Sequence, residues 1–389
     1  MDLAETLIED DWSPTQADRR LYLKHQGQML VGALSTHVDD LKGGCTSSVF
    51  CGLRAKLEQK YGDLTLSRPP FECIGVIHQQ DGVTKAITCS QDHYVKQLRP
   101  IDVATIRDLP PSAPVSAALH GLFTSLLGAI AWLVLTRPDV IVYVGKLQRA
   151  AKAPTVCDVI DLNKVLKWVR RIPSSTLYQH LTQPLCMLVI ADSAYRADDV
   201  DALAIRAAIL VIIEIGGQVP GGKMHVWEFF SRKQSRVNRG TFGAELNNLV
   251  EAAELGLLLR GLMHEVKHGP QSAEALRTSI DESVGMELHL VTDAHSVFAA
   301  VTAPELATPN ERHLLYTLRS LRDHLDARRV STIHRVDTRD MLADALTKGG
   351  VGRLAILTAF RTGIWSATIR DQLHSWAAPR QGQPAIEDG

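Results

Sequence analysis

What most constrains this chain is a change of hydrophobic period near residue 182. Two apolar runs, 185–191 and 202–215, follow one another across a short polar link and read as strands, and 225–231 reads as a third. A long amphipathic helix is expected over 241–266, with Leu246, Leu249, Val250, Ala253 and Leu257 on one face. A strand over 287–292, helices over 294–301 and 311–327, a strand over 330–336 and a short helix over 339–348 complete the series. Five strands interleaved with helices make a mixed α/β (α+β) layer.

The preceding segment has a different rhythm. Residues 122–135 form one apolar helix stopped by Arg137-Pro138-Asp139, and helical periodicity resumes over 141–151 and 156–171. The first hundred residues read as short strands. An apolar run over 28–38 ends at Asp39-Asp40, and Gly43-Gly44 is expected to turn the chain back. A helix over 48–61, a strand over 71–79 and a strand-to-helix segment over 87–98 follow. The proline-rich link 109–114 marks a boundary, and Trp132 and Trp168 are expected in the core rather than as stacking platforms.

With 45% hydrophobic residues and 42 Lys+Arg against 43 Asp+Glu, the chain is neither disordered nor collagen-like, and any phosphate-binding surface must be a local patch. Six cysteines without a C-x-x-C pair suit free thiols, and an acidic N-terminus without an apolar run suits an intracellular protein of cytoplasm or nucleus that is not secreted. The stretch 109–136 lacks Asp, Glu, Lys and Arg, but its prolines, His120 and hydroxyls point to a buried helix and no membrane span. Signatures of P-loop, dinucleotide-fold, α/β-hydrolase and zincin enzymes are absent.

Acidic residues fall at telling places: Asp192 past the first strand, Glu245 in the first turns of the long helix, Asp293 past the fourth strand and Asp344 in the last short helix. Singly, each also suits a solvated surface acid. Together, at one edge of a five-stranded sheet, they would repel one another unless cations neutralised them. Oxygen-only ligands select Mg²⁺ or Mn²⁺. Two such ions about 4 Å apart serve in-line phosphodiester hydrolysis. Nearby, the acid-free segment 231–240 carries Arg232, Lys233, Arg236 and Arg239 and can follow a nucleic-acid backbone, although a solvated loop fits equally.

The stretches Trp227-Glu-Phe-Phe-Ser-Arg-Lys-Gln-Ser235, Thr241-Phe-Gly-Ala-Glu-Leu246 and Leu342-Ala-Asp-Ala-Leu-Thr-Lys348 resemble the ribonuclease H blocks of copia-type LTR retrotransposon polyproteins. Val189-Ile-Ala-Asp-Ser-Ala-Tyr195 and Leu290-Val-Thr-Asp-Ala-His-Ser296 are similar to two further blocks of that domain, in family order. Upstream, His37-Val-Asp-Asp40, Phe71-Glu-Cys-Ile-Gly-Val76, Gln91-Asp-His-Tyr-Val95, Thr136-Arg-Pro-Asp139 and Lys164-Val-Leu-Lys-Trp168 resemble segments of the family's reverse transcriptase. The resemblance implies a truncated reverse-transcriptase palm over 1–108, a helical thumb or connection over 109–181, a ribonuclease H-like domain over 182–358 and a C-terminal tail over 359–389.

It also implies that Asp192, Glu245, Asp293 and Asp344 bind two Mg²⁺ or Mn²⁺ ions and that the substrate is an RNA–DNA hybrid, read by shape and 2′-hydroxyls. Asp39 and Asp40 would be the polymerase metal ligands. Only 38 residues precede Asp39, too few for the fingers and the first palm strand, and His37 stands for the family's tyrosine, so no autonomous polymerisation is expected unless another chain supplies the missing portion. Within the ribonuclease H block, Ala194 and Tyr195 replace a second acid and a tryptophan. These departures leave open a catalytically silent remnant that at most binds nucleic acid.

Overall fold

The computed structural model describes residues 3–38, 40–195, 203–215, 220–281, 285–306 and 308–374. Near the N-terminus, strands Ser13–Pro14, Leu21–Gln26, Met29–His37 and Asp40–Cys45 form an antiparallel sheet. Helices Leu3–Glu9 and Ser47–Tyr61 pack on it around Leu7, Trp12, Val31, Leu34 and Leu53. The expected turn at Gly43-Gly44 is misplaced. Both glycines lie inside a strand, and His37 pairs with Asp40, so the chain has already reversed before Gly43. Gly43 serves strand approach instead: a Cβ there would lie 2.1 Å from the Ala33 carbonyl oxygen.

A second antiparallel sheet joins Phe71–Cys73, Val76–Gln80 and Ile87–Ser90 to Thr176–Tyr178, across the boundary expected at residue 108. Between them, helices Ala117–Leu133, Ile141–Ala150 and Val156–Arg171 enclose Phe123, Ile130, Leu147, Val159 and Leu162. The Thr136-to-Asp139 motif locks this block. Arg137 donates through two nitrogens to Asp139, each at 2.9 Å, and also reaches the Val169 and Ile172 carbonyls. Trp168 Nε1 donates to the same carboxylate at 2.6 Å, and Thr136 Oγ1 donates to Gln91 Oε1 at 2.9 Å. Trp132 departs from expectation: it is 42% exposed, with its indole nitrogen placed against Gly75, which stands at positive φ.

The apolar run of the α/β half becomes strand β1 (Leu185–Ala194), followed by β2 (Ile205–Glu214) and β3 (Gly221–Lys233). Then come helices α1 (Thr241–His268) and α2 (Ala273–Asp281), strand β4 (Glu287–Thr292) and helices α3 (His295–Thr302) and α4 (Leu314–Asp326). Strand β5 (Thr332–Val336), helices α5 (Asp344–Thr347) and α6 (Leu354–Thr362), and strands β6 (Ile364–Ser366) and β7 (Ile369–His374) end the series.

The sheet has seven strands rather than five, in the order β6-β3-β2-β1-β4-β5-β7. The expected tail at 359–389 is corrected as well. Residues 359–374 finish α6 and add both edge strands, because Ile369 to His374 pairs antiparallel with β5 and covers its open edge. The part of that tail beyond residue 374 lies outside the described residues.

β1 sits at the centre, antiparallel to β2 and parallel to β4. Its residues 186–190 are all fully buried, since both faces are covered. On one face α1 and α4 pack against Val189, Ala191, Leu210 and Leu290, and the α1 stripe Leu246, Leu249, Val250, Ala253 and Leu257 is buried there. The other face meets α5 and α6 through Leu188, Ile190, Ile209, Leu346 and Phe360. The first sheet docks at the far end of α1, where Gln16 N donates to both Glu265 carboxylate oxygens at 3.0 Å. Twenty helical residues separate Glu265 from Glu245, or about 30 Å at 1.5 Å per residue. Among the described residues no helix is long and apolar enough to cross a membrane.

Candidate metal centre

Strand register accounts for the first two acids. β1 and β4 run parallel with Ile190 opposite Val291, so two residues further on Asp192 and Asp293 continue the same row on the same face. Asp344 opens α5, which lies on that face. Three acids from positions 192, 293 and 344 therefore meet: one carboxylate oxygen of each lies within 4.8 Å of the other two. Asp192 is wholly buried and Asp344 is 8% exposed, whereas Asp293 is half-buried at the rim.

Glu245 stands beside this trio rather than within it. It accepts a hydrogen bond from Ser193 N at 3.0 Å, one residue past Asp192. Burial, then the charges of Asp192 and Asp293, push its carboxyl up to about 9. Burial and Asp192 likewise lift Asp344 to about 7, and burial raises Asp192 against the opposing pull of Lys348 and Thr347.

Two residues of this centre were quoted in a motif but given no role from sequence. Lys348 Nζ lies 3.2 Å from Asp192 Oδ1 and 2.6 Å from Asp344 Oδ1, so one ammonium spans two of the carboxylates. Burial opposes the charge of that ammonium, but Asp192 and Asp344 outweigh it and raise the lysine above its ordinary range. Thr347 Oγ1 donates to Asp192 Oδ2. The signal lay in Lys348 following Asp344 by four residues, the spacing of neighbours on a helix face.

A network of amides holds the acids in place. Asn248 Nδ2 donates to the Asp192 carbonyl at 2.8 Å and to the Ala207 carbonyl at 2.9 Å, tying α1 to β1 and β2. Gln234 Nε2 donates to Ser193 Oγ at 3.2 Å and to the Ala244 carbonyl at 2.8 Å. Asn238 donates to Gln234, and Asn247 Nδ2 donates to Asn238 Oδ1 at 3.0 Å.

The end of β3 and the loop after it carry the four basic residues expected to grip a backbone. Arg232, Arg236 and Arg239 are exposed and Lys233 is half-buried. Arg232 lies over the Phe230 ring, 5.6 Å from its centroid. An open cavity of about 370 Å³ is lined by Arg232, Lys233, Ser231 and, from helix Ile141–Ala150, Arg149.

Of the other acidic pair, only Asp40 falls among the described residues, exposed at the start of its strand, and Asp39 lies outside them. Among the described residues the Asp192, Asp293 and Asp344 group is the only clustering of three or more such ligands, and Asp40 is not in it.

The trio fits a hard divalent cation. Its donors are all carboxylate oxygens, and with Glu245 it sets four acids against one ammonium. Burial first, and then the charge of Asp192, raise the Glu245 and Asp344 carboxyls, and a cation beside them would favour their charged forms. No family model matches the chain, and no curated protein matches it.

Proposed function

We propose that this chain hydrolyses the RNA strand of an RNA–DNA hybrid in a divalent-metal-dependent reaction, as the ribonuclease H part of a copia-type retroelement polyprotein. The observation that carries this reading is the meeting of Asp192, Asp293 and Asp344 from three separate stretches of chain. The motif resemblance around each acid supports it, as do the basic residues at 232, 233, 236 and 239, whose segment is tied to Ser193 through Gln234.

Asp192, Asp293 and Asp344 would hold Mg²⁺ or Mn²⁺, with Glu245 at the margin, and two ions are expected. Bound there, the metal supplies Lewis-acid activation of water and stabilises the leaving oxygen. The chain's own residues do the rest. Asn248 and Gln234 fix the strand end that carries Asp192. Arg232, Lys233, Arg236 and Arg239 neutralise backbone phosphates on the approach.

Lys348 favours a second reading. By spanning Asp192 and Asp344 it offsets part of their charge without any ion, as a silent nucleic-acid-binding remnant would require. The two readings separate in a strand-specific assay on a hybrid end-labelled in either strand. The ribonuclease reading expects internal cuts in the RNA strand alone, in Mg²⁺ or Mn²⁺ and not in chelator. Binding of the hybrid with no cleavage in either metal supports the silent remnant.

A further inference from the structure

The segment that carries Asp344 and Lys348 is held from outside the α/β layer. Arg353, only 5% exposed, points its guanidinium back under α5 and donates to the carbonyls of Ala345 and Lys348. Two further donors go to Tyr143 Oη, from Nε at 3.3 Å and from a terminal nitrogen at 3.2 Å. Tyr143 belongs to the connecting helix Ile141–Ala150, and its hydroxyl donates in turn to the Gly349 carbonyl at 2.6 Å. The guanidinium also sits 4.9 Å from the centroid of the Tyr143 ring.

One phenol thus accepts two hydrogen bonds and donates one, which fills the capacity of its oxygen. The carbonyls it and Arg353 bind belong to residues 345, 348 and 349, which flank the Lys348 ammonium that touches Asp192 and Asp344. A four-residue helix has little rigidity of its own, since forming a single turn is unfavourable. Its position must come from such external ties.

We infer that Tyr143 and Arg353 are positioning residues for the metal centre, so that the connecting helical segment is a working part of the site and not only a spacer. The inference rests on the metal-centre reading above. Neither residue reaches the carboxylates. They act by fixing the backbone from which Asp344 and Lys348 project, and the effect of removing them is expected on metal affinity and turnover before fold stability.

The test uses the full chain with Mn²⁺ binding followed by electron paramagnetic resonance, hybrid cleavage kinetics and thermal unfolding. Tyr143→Phe keeps the ring and removes the hydroxyl. It removes three hydrogen bonds from the backbone support and is expected to weaken Mn²⁺ binding and lower kcat by roughly 3- to 10-fold, the part of that loss that reaches the site. KM for the hybrid should stay within about twofold and the melting temperature within a few degrees. Arg353→Lys retains the charge but not the fork and should reproduce the loss, whereas Lys146→Ala, on the exposed side of the same helix, should leave both unchanged.

Mn²⁺ affinity and kcat unchanged in both Tyr143→Phe and Arg353→Lys overturn the inference, and so does a loss that merely parallels melting temperature. The metal-centre reading fails separately, if wild-type cleavage is unaffected by Asp192→Asn.

Discussion

Replacing Lys348 by Gln removes the ammonium lying among the four acids while keeping a side chain of similar length. Its Nζ is 2.6 Å from Asp344 and 3.2 Å from Asp192. At such separations a unit charge pair is worth from about 1 kcal/mol in water to about 4 kcal/mol or more at an effective dielectric of 20. The lysine side chain is 35% exposed while Asp192 is wholly buried, which places the pair between surface bridges worth about 0–1 kcal/mol and buried ones that cost about 3–5 kcal/mol to break. The expected loss in metal-free protein is about 2–3 kcal/mol near pH 8.5, or about 5–10 °C in melting temperature.

The loss has a predicted pH dependence. Asp344 is held up to about 7 by burial and by Asp192, so well below that pH its carboxyl is neutral and needs the ammonium less. The deficit should therefore shrink when the melts are repeated near pH 5.5. Saturating Mg²⁺ should raise the variant to about the stability of metal-free wild type, because a ligand at 100 times its Kd adds about 2.7 kcal/mol to the folded state. Equal deficits at both pH values, or a variant that Mg²⁺ fails to stabilise, would refute the reasoning.

In wild-type protein without metal, folded carboxyls raised to about 7 for Asp344 and about 9 for Glu245 mean that the native state binds protons more tightly than the unfolded one. Stability is then fullest below pH 4 on this account and falls as pH rises through 7 and 9. Urea midpoints measured across that range should drop, and drop less in Mg²⁺. Arg137→Met strands the fully buried Asp139 carboxylate and should cost about 3–5 kcal/mol in urea unfolding; a loss under 1 kcal/mol would contradict the lock described for the helical block. Gly256→Ala puts a Cβ 2.7 Å from Val189 and 3.0 Å from Leu288, both fully buried. Overpacking of about 1–3 kcal/mol should outweigh the helix-propensity gain of about 1 kcal/mol, so thermal melts should show a net loss.

Where apolar pattern alone decides structure, the chain was legible. The stripe on α1 and the helix Val156–Arg171 follow from residue period, because each buries a continuous face, and β4 is a short run buried on both faces. Asp293 falls just past β4, where an apolar run ends and an acid begins, whereas Asp192 lies within β1, which continues to Ala194 because Asp192 still pairs with Ala207.

What period does not encode was missed. Gly43-Gly44 has turn chemistry, yet its smallness is used for close approach of two strands. Edge strand β6 has only three residues and β7 is mostly polar, so their pairing partners, not a period of their own, make them strands. Lys348 and Thr347 have no role until α5 is folded against β1, since their partner Asp192 lies over 150 positions away. Tyr143 and Arg353, 210 positions apart, are likewise invisible to any local pattern.

The central claim is that Asp192, Asp293 and Asp344 form a working metal centre. It is tested most directly by single-turnover cleavage of an RNA–DNA hybrid in Mg²⁺, with wild type and Asp192→Asn purified side by side. Wild type is expected to cleave the RNA strand and the variant to lose at least about 100-fold of that rate, with its folding intact by circular dichroism. Equal cleavage by the two proteins, or none by either in Mg²⁺ or Mn²⁺, would contradict it.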